Sequence, residues 1–334
     1  MVQSRTAVLF PGQGSLCGST FARADVQRYF RQVFEEIGRQ ADECRPWTQS
    51  PQAGGVLPNH LPDAPHSLAT SIFAASVAQY RLLEDQGLHP AVMIGHGFGE
   101  IIALVCAGAL SAAQGAEIVF QRAAVLNECS TQAGGMLVAR TTKPLADSLV
   151  ELAGSENAAV AAENSPTEVV ISGTAAGIER IERFARYLGI VVTRLKARWP
   201  LHCRAVMMPA VTDLKKRLSH ISSQPLRVPV FSPTLGRCYG DTDNLTEMLS
   251  EQLALPVRFA DAIRYLLSTG AEAFIECGPL YGLGRCVQEI AGGNQRSLEP
   301  TRFELPRFSQ APVRPSRDTH GGRPEPRDAA ILAN

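Results

Sequence analysis

The sequence has no excess of either charge and no long apolar run. Its 32 lysines and arginines balance 32 aspartates and glutamates, so no overall field favours nucleic acid or an anionic membrane surface. No apolar stretch approaches the roughly 20 residues that a membrane helix needs, and the N-terminus lacks the long apolar segment of a secretory signal. We therefore expect a cytoplasmic protein with no nucleic-acid partner and no membrane partner.

The sequence also lacks the cysteine spacing that metal sites and disulfide frameworks use. Its eight cysteines are scattered, without a C-x-x-C pair or a Cys/His cluster at zinc spacing. Several of them lie inside apolar runs, where a free cysteine behaves as a small hydrophobic residue. We expect reduced thiols, no metal site and no bound cofactor.

The remaining composition is that of a globular protein large enough for two domains. Of the 334 residues, 45% are hydrophobic and 19% are charged. A buried strand at 5–10, helices at about 20–42 and 67–86, and a strand at 91–95 that turns into a helix follow one another. This alternation predicts an α/β architecture with a β-turn-α unit near residue 95.

The segment 134–195 shows a different order of elements, βαββαβ, which is typical of the ferredoxin-like fold. Its second helix carries an apolar stripe of Ile178, Ile181, Ala185 and Leu188. We predict a ferredoxin-like insert at 131–196 within a larger α/β domain made of 1–130 and 197–295. The tail 296–334 has six prolines, many arginines and little periodicity, so we expect it to be disordered.

The turn near residue 95 reads GHGFGE, residues 95–100, and it lacks a serine. Enzymes of the α/β hydrolase type present a nucleophilic serine at the centre of such a strand-to-helix turn, as G-x-S-x-G. Gly97 occupies the central position here. Glycine adopts the strained backbone of this turn at little cost, so the fold should survive while the nucleophilic hydroxyl group is missing.

Six further blocks flank this turn along the chain. They are FPGQGS at 10–15, QRAAVLNECSTQAGGMLVA at 121–139, NSPTEVVISG at 164–173, PLHCRAVMMPA at 200–210, EQLALPVRF at 251–259 and IECGPLYGL at 275–283. Over about residues 5–290, the seven blocks resemble the malonyl-CoA:acyl carrier protein transacylase family, which includes the acyltransferases of polyketide synthases. The resemblance implies an α/β hydrolase-like larger domain and ping-pong transfer of malonyl from CoA to the phosphopantetheine of an acyl carrier protein. We expect a monomer whose partners are malonyl-CoA, or a related acyl-CoA, and that carrier protein.

The resemblance also implies catalytic roles for four residues around Gly97. His202 matches the general base, and Gln252 matches the residue whose main-chain carbonyl orients that base. Gln13 and Phe98 match the residues whose backbone N–H groups form the oxyanion hole. A helix N-terminus after the turn suits this last role, because it carries partial positive charge.

Substrate recognition is expected from Arg122. It matches the arginine that binds the free carboxylate of malonyl or methylmalonyl groups through a planar two-pronged donor. The alternative is a surface arginine on a helix. His96 matches a histidine beside the nucleophile, for which we expect a structural role.

Two departures from the family pattern leave the acyl preference open. The chain reads ATSI at 69–72, where relatives often carry a glutamine, and RWPL ahead of His202, which matches neither short motif that accompanies malonyl or methylmalonyl preference.

Gly97 leaves three functional hypotheses. The chain is a malonyl transferase that is impaired by loss of its nucleophile, an inert pseudo-acyltransferase that binds carrier protein or acyl-CoA, or a slow acyl-carrier thioesterase. Cys203 is a poor substitute nucleophile, because side chains adjacent in sequence rarely converge on one reacting atom. A basic segment at 194–217 is a candidate surface for the acidic carrier protein.

Overall fold

The computed structural model describes residues 5–12, 24–40, 65–129, 134–197, 199–278, 282–292 and 296–298. The strands are β1 (Thr6–Phe10), β2 (Val92–Gly95), β3 (Gly134–Ala139), β4 (Ala158–Ser165), β5 (Glu168–Thr174), β6 (Val192–Arg194), β7 (Val230–Ser232), β8 (Arg237–Cys238), β9 (Ala273–Glu276) and β10 (Arg296–Leu298). The helices are α1 (Ala24–Gln40), α2 (Pro65–Asp85), α3 (Gly99–Cys106), α4 (Ala112–Glu128), α5 (Lys143–Ala153), α6 (Ala175–Tyr187), α7 (Arg204–Leu218), α8 (Leu245–Glu251), α9 (Phe259–Ser268) and α10 (Leu283–Ile290).

The larger sheet has the strand order β10-β9-β1-β2-β7-β8 and is parallel except at β8. Both of its faces are covered, which explains why β1 is apolar from Ala7 to Phe10. Val8 and Phe10 pack with α1 to α4 on one face, whereas Ala7 and Leu9 pack with α9 and α10 on the other. Alternate residues of a strand point to opposite faces, so the four-residue apolar run from Ala7 to Phe10 contributes to two cores.

The second sheet is antiparallel, with the order β4-β5-β3-β6, and α5 and α6 pack against it. It has the ferredoxin-like arrangement that the βαββαβ order predicts, so the predicted fold class is confirmed. Ile178, Ile181 and Ala185 are buried, as the stripe requires. Leu188 is 55% exposed, because α6 ends at Tyr187 and Leu188 forms its C-cap.

Backbone hydrogen bonds join the two parts near the predicted site. Val257 pairs with Ala162 of β4 in an isolated parallel bridge. Its N–H donates to the Ala161 carbonyl at 2.9 Å, and its carbonyl accepts from the Glu163 N–H at 3.1 Å. The segment that leads into α9 is therefore fixed to the ferredoxin-like sheet.

The predicted start of a disordered tail at 296 is wrong for three residues. Arg296–Leu298 form β10, which pairs in parallel with β9. Backbone pairing needs no particular side chains, so this short edge strand has no compositional signal. Residues 299–334 lie outside the described residues, and the domain boundaries at 131 and 197 stay predictions.

None of the helices in the described ranges combines the length and apolarity that a membrane crossing requires.

Candidate functional site

The strand-to-helix turn lies at the carboxyl end of β2, beside the end of β1. Phe10 and Gly95 are register partners, and the His96 N–H donates to the Phe10 carbonyl at 2.9 Å. A Cβ at Gly99 would lie 2.0 Å from that same carbonyl oxygen, so only glycine allows α3 to begin this close to β1. Ligands of parallel α/β sheets bind beyond the carboxyl ends of the strands, which is where this turn lies.

Gly97 and His202 face each other across the site. Gly97 has a φ of 54°, and a Cβ there would lie 3.4 Å from Nε2 of His202. His202 itself has a φ of 65°, a conformation that is unfavourable for a residue with a Cβ. Its N–H donates to the Leu253 carbonyl at 2.7 Å, which helps to hold this backbone in place.

Two main-chain carbonyls set the tautomer of His202. Its Nδ1 lies 2.9 Å from the Gln252 oxygen and 2.8 Å from the Leu255 oxygen. A carbonyl oxygen only accepts, so Nδ1 carries the proton and Nε2 presents a lone pair towards Gly97. The sequence identified the Gln252 carbonyl but not that of Leu255, because every residue type provides a backbone carbonyl.

The His202 imidazole is neutral at physiological pH. Burial lowers its pKa to about 4, and the nearby positive charge of Arg122 acts in the same direction. A neutral imidazole with a free Nε2 lone pair is a hydrogen-bond acceptor and a weak general base.

The first backbone donors of α3 surround the turn. Phe98 is the N-cap residue of α3, and its N–H donates to no described residue. The N-terminus of a helix stabilises negative charge, so this N–H is suited to an oxyanion. Gln13 lies outside the described residues, and its contribution to an oxyanion hole stays a prediction.

Arg122 reaches the turn from α4 and is only 2% exposed. Its guanidinium carbon lies 5.7 Å from the centre of the Phe98 ring. This burial excludes the alternative of a surface arginine. Burial lowers the pKa of Arg122 to about 10, which leaves the side chain protonated at neutral pH. A buried cation beside the turn is suited to binding an anionic group.

His96 links the turn to the ferredoxin-like sheet. Its Nε2 lies 2.8 Å from Oδ1 of Asn164 in β4, and the Asn164 amide donates to Glu168 at 3.0 Å. Glu168 in turn pairs with Arg285 of α10 and Arg140 after β3, each at 2.7 Å. The sequence assigned no role to Asn164, although it begins the NSPTEVVISG block.

Glu100, in the first turn of α3, is fully buried among hydroxyl groups. Thr234 donates to one carboxyl oxygen at 3.0 Å and Tyr239 to the other at 2.6 Å. Both donors lie in or beside the β7–β8 hairpin, so Glu100 ties that hairpin to the turn. Burial raises the pKa of Glu100, which favours its neutral form in the folded protein.

Replacing Glu100 separates its hydrogen bonds from its charge. Below the ordinary glutamate pKa of 4.5, the buried Glu100 side chain contributes to the stability of the fold. This contribution is lost as the pH rises through the raised pKa of Glu100 in the folded protein. Gln cannot ionise, so the melting temperature of Glu100→Gln relative to the native chain should increase from pH 4.5 to neutral pH. Glu100→Ala leaves two buried hydroxyls without an acceptor and should lose about 2–6 kcal/mol. If the melting temperatures of the native chain and Glu100→Gln changed equally with pH, the raised pKa of Glu100 would be contradicted.

The predicted basic surface is partly neutralised within the chain. The sequence grouped Arg194, Lys196, Arg198, Arg204, Lys215, Lys216 and Arg217. Three of them form internal ion pairs, Arg194 with Glu182, Lys215 with Glu247 and Glu251, and Arg217 with Glu128 and Asp213. Arg198 lies outside the described residues. The remaining described cations, Lys196, Arg204 and Lys216, are exposed, so the available positive surface is smaller than the sequence suggested.

Cys203 follows His202 but has little nucleophilic character. It is 1% exposed, and burial raises the pKa of its thiol. The thiolate is the reactive form of cysteine, so this environment disfavours nucleophilic attack by Cys203.

Within the described ranges, no group of three or more His, Cys, Asp or Glu side chains could hold a metal ion.

Comparison with known proteins gives one family. The family model described as "Acyl transferase domain" matches residues 59–289. Polyketide synthase GfsA of Streptomyces halstedii is 30% identical over 302 residues, which cover 87% of this chain and 4% of that protein. The malonyl CoA-acyl carrier protein transacylase of Bacillus subtilis is 28% identical over 299 residues, 86% of this chain and 90% of that protein. The chain thus corresponds to a small part of the synthase and to nearly the whole transacylase.

Solved structures give the same result. The malonyl CoA-acyl carrier protein transacylase from Clostridium perfringens has a TM-score of 0.75 and 27% identity, over 88% of this chain and 92% of that one. The corresponding protein from Xanthomonas oryzae has a TM-score of 0.78 and 27% identity, over 90% and 95% of the two chains.

Proposed function

Since the chain belongs to the acyl transferase domain family, we propose that it binds malonyl thioesters at the Gly97 turn without forming an acyl-enzyme. The chain is of the malonyl-CoA:acyl carrier protein transacylase type, and its proposed partners are malonyl-CoA and an acyl carrier protein. The observation that carries the proposal is the juxtaposition of Gly97 with His202. Nε2 of His202 faces a position that carries no hydroxyl group.

The parts needed for binding a malonyl group are close to this turn. Arg122 supplies a protonated guanidinium for the carboxylate, and the Phe98 N–H supplies a donor for the thioester oxygen. His202 supplies a neutral acceptor, Nε2, that faces Gly97. None of these groups depends on a side chain at residue 97.

The chemistry of ping-pong transfer does depend on that side chain. Loss of the nucleophile from a catalytic triad lowers turnover by roughly 10⁶, and binding and oxyanion groups alone retain a factor of about 10³ over water. Efficient transfer to a carrier thiol is therefore not expected from this chain. A dedicated binding function accounts for a site that keeps Arg122, the Phe98 N–H and His202 but lacks the nucleophile.

Slow hydrolysis of the bound thioester is a second candidate function. The Nε2 lone pair of His202 is directed towards the Gly97 turn and could accept a proton from water. A positioned base of this kind contributes about 10²–10⁴-fold to a reaction. Hydrolysis would make the chain a thioesterase that removes acyl groups from carriers.

Calorimetric titration and a carrier-loading assay test the proposal together. Malonyl-CoA should bind more tightly than CoA alone, while malonyl transfer to a phosphopantetheine-carrying protein should stay at the level of a reaction without the chain. No binding of malonyl-CoA would contradict the proposal, and so would rapid carrier loading.

A further inference from the structure

The Phe98 ring lies against the guanidinium of Arg122. The guanidinium carbon is above this ring, 5.7 Å from its centre, and each of the two residues is only 2% exposed. A cation within about 6 Å of an aromatic centre is attracted by the negative face of the ring, and the attraction strengthens where water is excluded. The ring therefore stabilises a positive charge that burial alone disfavours.

Phe98 reaches Arg122 from the strand-to-helix turn itself. It follows Gly97 directly and is the N-cap residue of α3, whereas Arg122 lies on α4. The ring belongs to a buried core that also includes Ile101 and Ile102 of α3. Close packing of this kind limits the motion of the ring. The turn thus supplies a fixed aromatic surface for a side chain that comes from a different helix.

We propose that Phe98 is a positioning residue, whose ring holds the Arg122 guanidinium in the orientation that binds the free carboxylate of a malonyl thioester. The inference rests on the proposed function, in which Arg122 binds that carboxylate. A ring attracts the charge of the whole guanidinium, whereas a carboxylate accepts hydrogen bonds from its N–H groups in pairs. The ring therefore orients Arg122 without replacing the carboxylate as a hydrogen-bond acceptor.

The ring acts on the preference between acyl groups, and the backbone of the same residue does not. Malonyl and acetyl thioesters offer the same carbonyl oxygen to the Phe98 N–H, but only the malonyl group offers a carboxylate to Arg122. Without the ring, the arginine side chain gains rotamers that must be given up when the carboxylate binds. Ordering one such side chain lowers affinity by about 2–12-fold.

Calorimetry with malonyl-CoA, acetyl-CoA and CoA tests this role on the native chain and on Phe98→Leu. Leucine keeps a buried apolar side chain but has no aromatic face. The ratio of the acetyl-CoA to the malonyl-CoA dissociation constant should fall about 2–12-fold in this variant. Phe98→Tyr keeps the ring and should keep the native ratio. Thermal unfolding is followed for each variant, and Phe98→Met takes the place of Phe98→Leu if the leucine chain does not fold.

Arg122→Met is the matched control, because it removes the cation and keeps the ring. When Arg122→Met is already present, Phe98→Leu should leave the ratio of the two dissociation constants unchanged, since the ring acts only through the arginine. An equal change of this ratio with and without Arg122 would overturn the inference, and so would a native ratio in Phe98→Leu.

Failure of this inference is distinguishable from failure of the proposed function. If the native chain binds malonyl-CoA and acetyl-CoA equally, and both more tightly than CoA, the role of Phe98 is overturned and the binding of malonyl thioesters stands. If malonyl-CoA binds no more tightly than CoA, both are overturned.

Discussion

Gly97→Ser is expected to give rapid acyl-enzyme formation with malonyl-CoA, followed by transfer to a carrier thiol. A serine Cβ would make only ordinary contacts, 3.4 Å from Nε2 of His202. Its hydroxyl can therefore donate to a base whose tautomer is already set by two carbonyls. Loss of such a nucleophile costs roughly 10⁶ in turnover, so its return should raise carrier loading by at least about 10³-fold.

The serine variant must also adopt the turn. Residue 97 has a φ of 54°, where a side chain costs about 1–3 kcal/mol. The melting temperature should fall accordingly, and Gly97→Ala should show the same fall without any gain in activity. Carrier loading is followed by mass spectrometry of the carrier protein. A folded serine variant that binds malonyl-CoA but stays unlabelled would mean that other catalytic groups are misplaced.

Arg122→Ala is expected to weaken malonyl-CoA binding about 10–100-fold and to leave acetyl-CoA binding nearly unchanged. Of the two ligands only malonyl-CoA carries a free carboxylate, and a hydrogen bond to a charged group contributes about 1.5–3 kcal/mol. Arg122 lies on α4, is 2% exposed and stays protonated despite its lowered pKa. The two dissociation constants are measured by calorimetry on the same preparations.

Arg122→Lys and Arg122→Met separate charge from packing. Lys keeps a positive charge but loses the planar fork, so its affinity for malonyl-CoA should lie between those of the native chain and the alanine variant. Met fills much of the buried space without charge and should resemble alanine in its preference between the two ligands. Equal losses for malonyl-CoA and acetyl-CoA in all three variants would remove Arg122 from substrate recognition.

The sequence predicted β1, β2, the turn and the ferredoxin-like insert because each has a local signal. The four apolar residues of β1, Ala7 to Phe10, and the glycines of GHGFGE reflect burial on two faces and close backbone approach. The apolar stripe of α6 failed only at Leu188, where the helix ends. Hydrophobic periodicity does not encode the residue at which a helix terminates.

Long-range polar contacts of the site could not be predicted in this way. The Leu255 carbonyl reaches His202 across 53 positions, and Tyr239 reaches Glu100 across 139. Asn164 of β4 meets His96, which follows β2, across 68 positions. Such partners depend on tertiary arrangement, and family resemblance supplied His202, Gln252 and Arg122 where spacing alone did not.

The native chain is expected to retain a malonyl site and to resist acylation at residue 97. Intact-protein mass spectrometry after incubation with malonyl-CoA tests this expectation most directly, with Gly97→Ser run in parallel as the positive control. The native chain should keep its unmodified mass while the serine variant gains one malonyl group. A stable malonyl adduct on the native chain would contradict it.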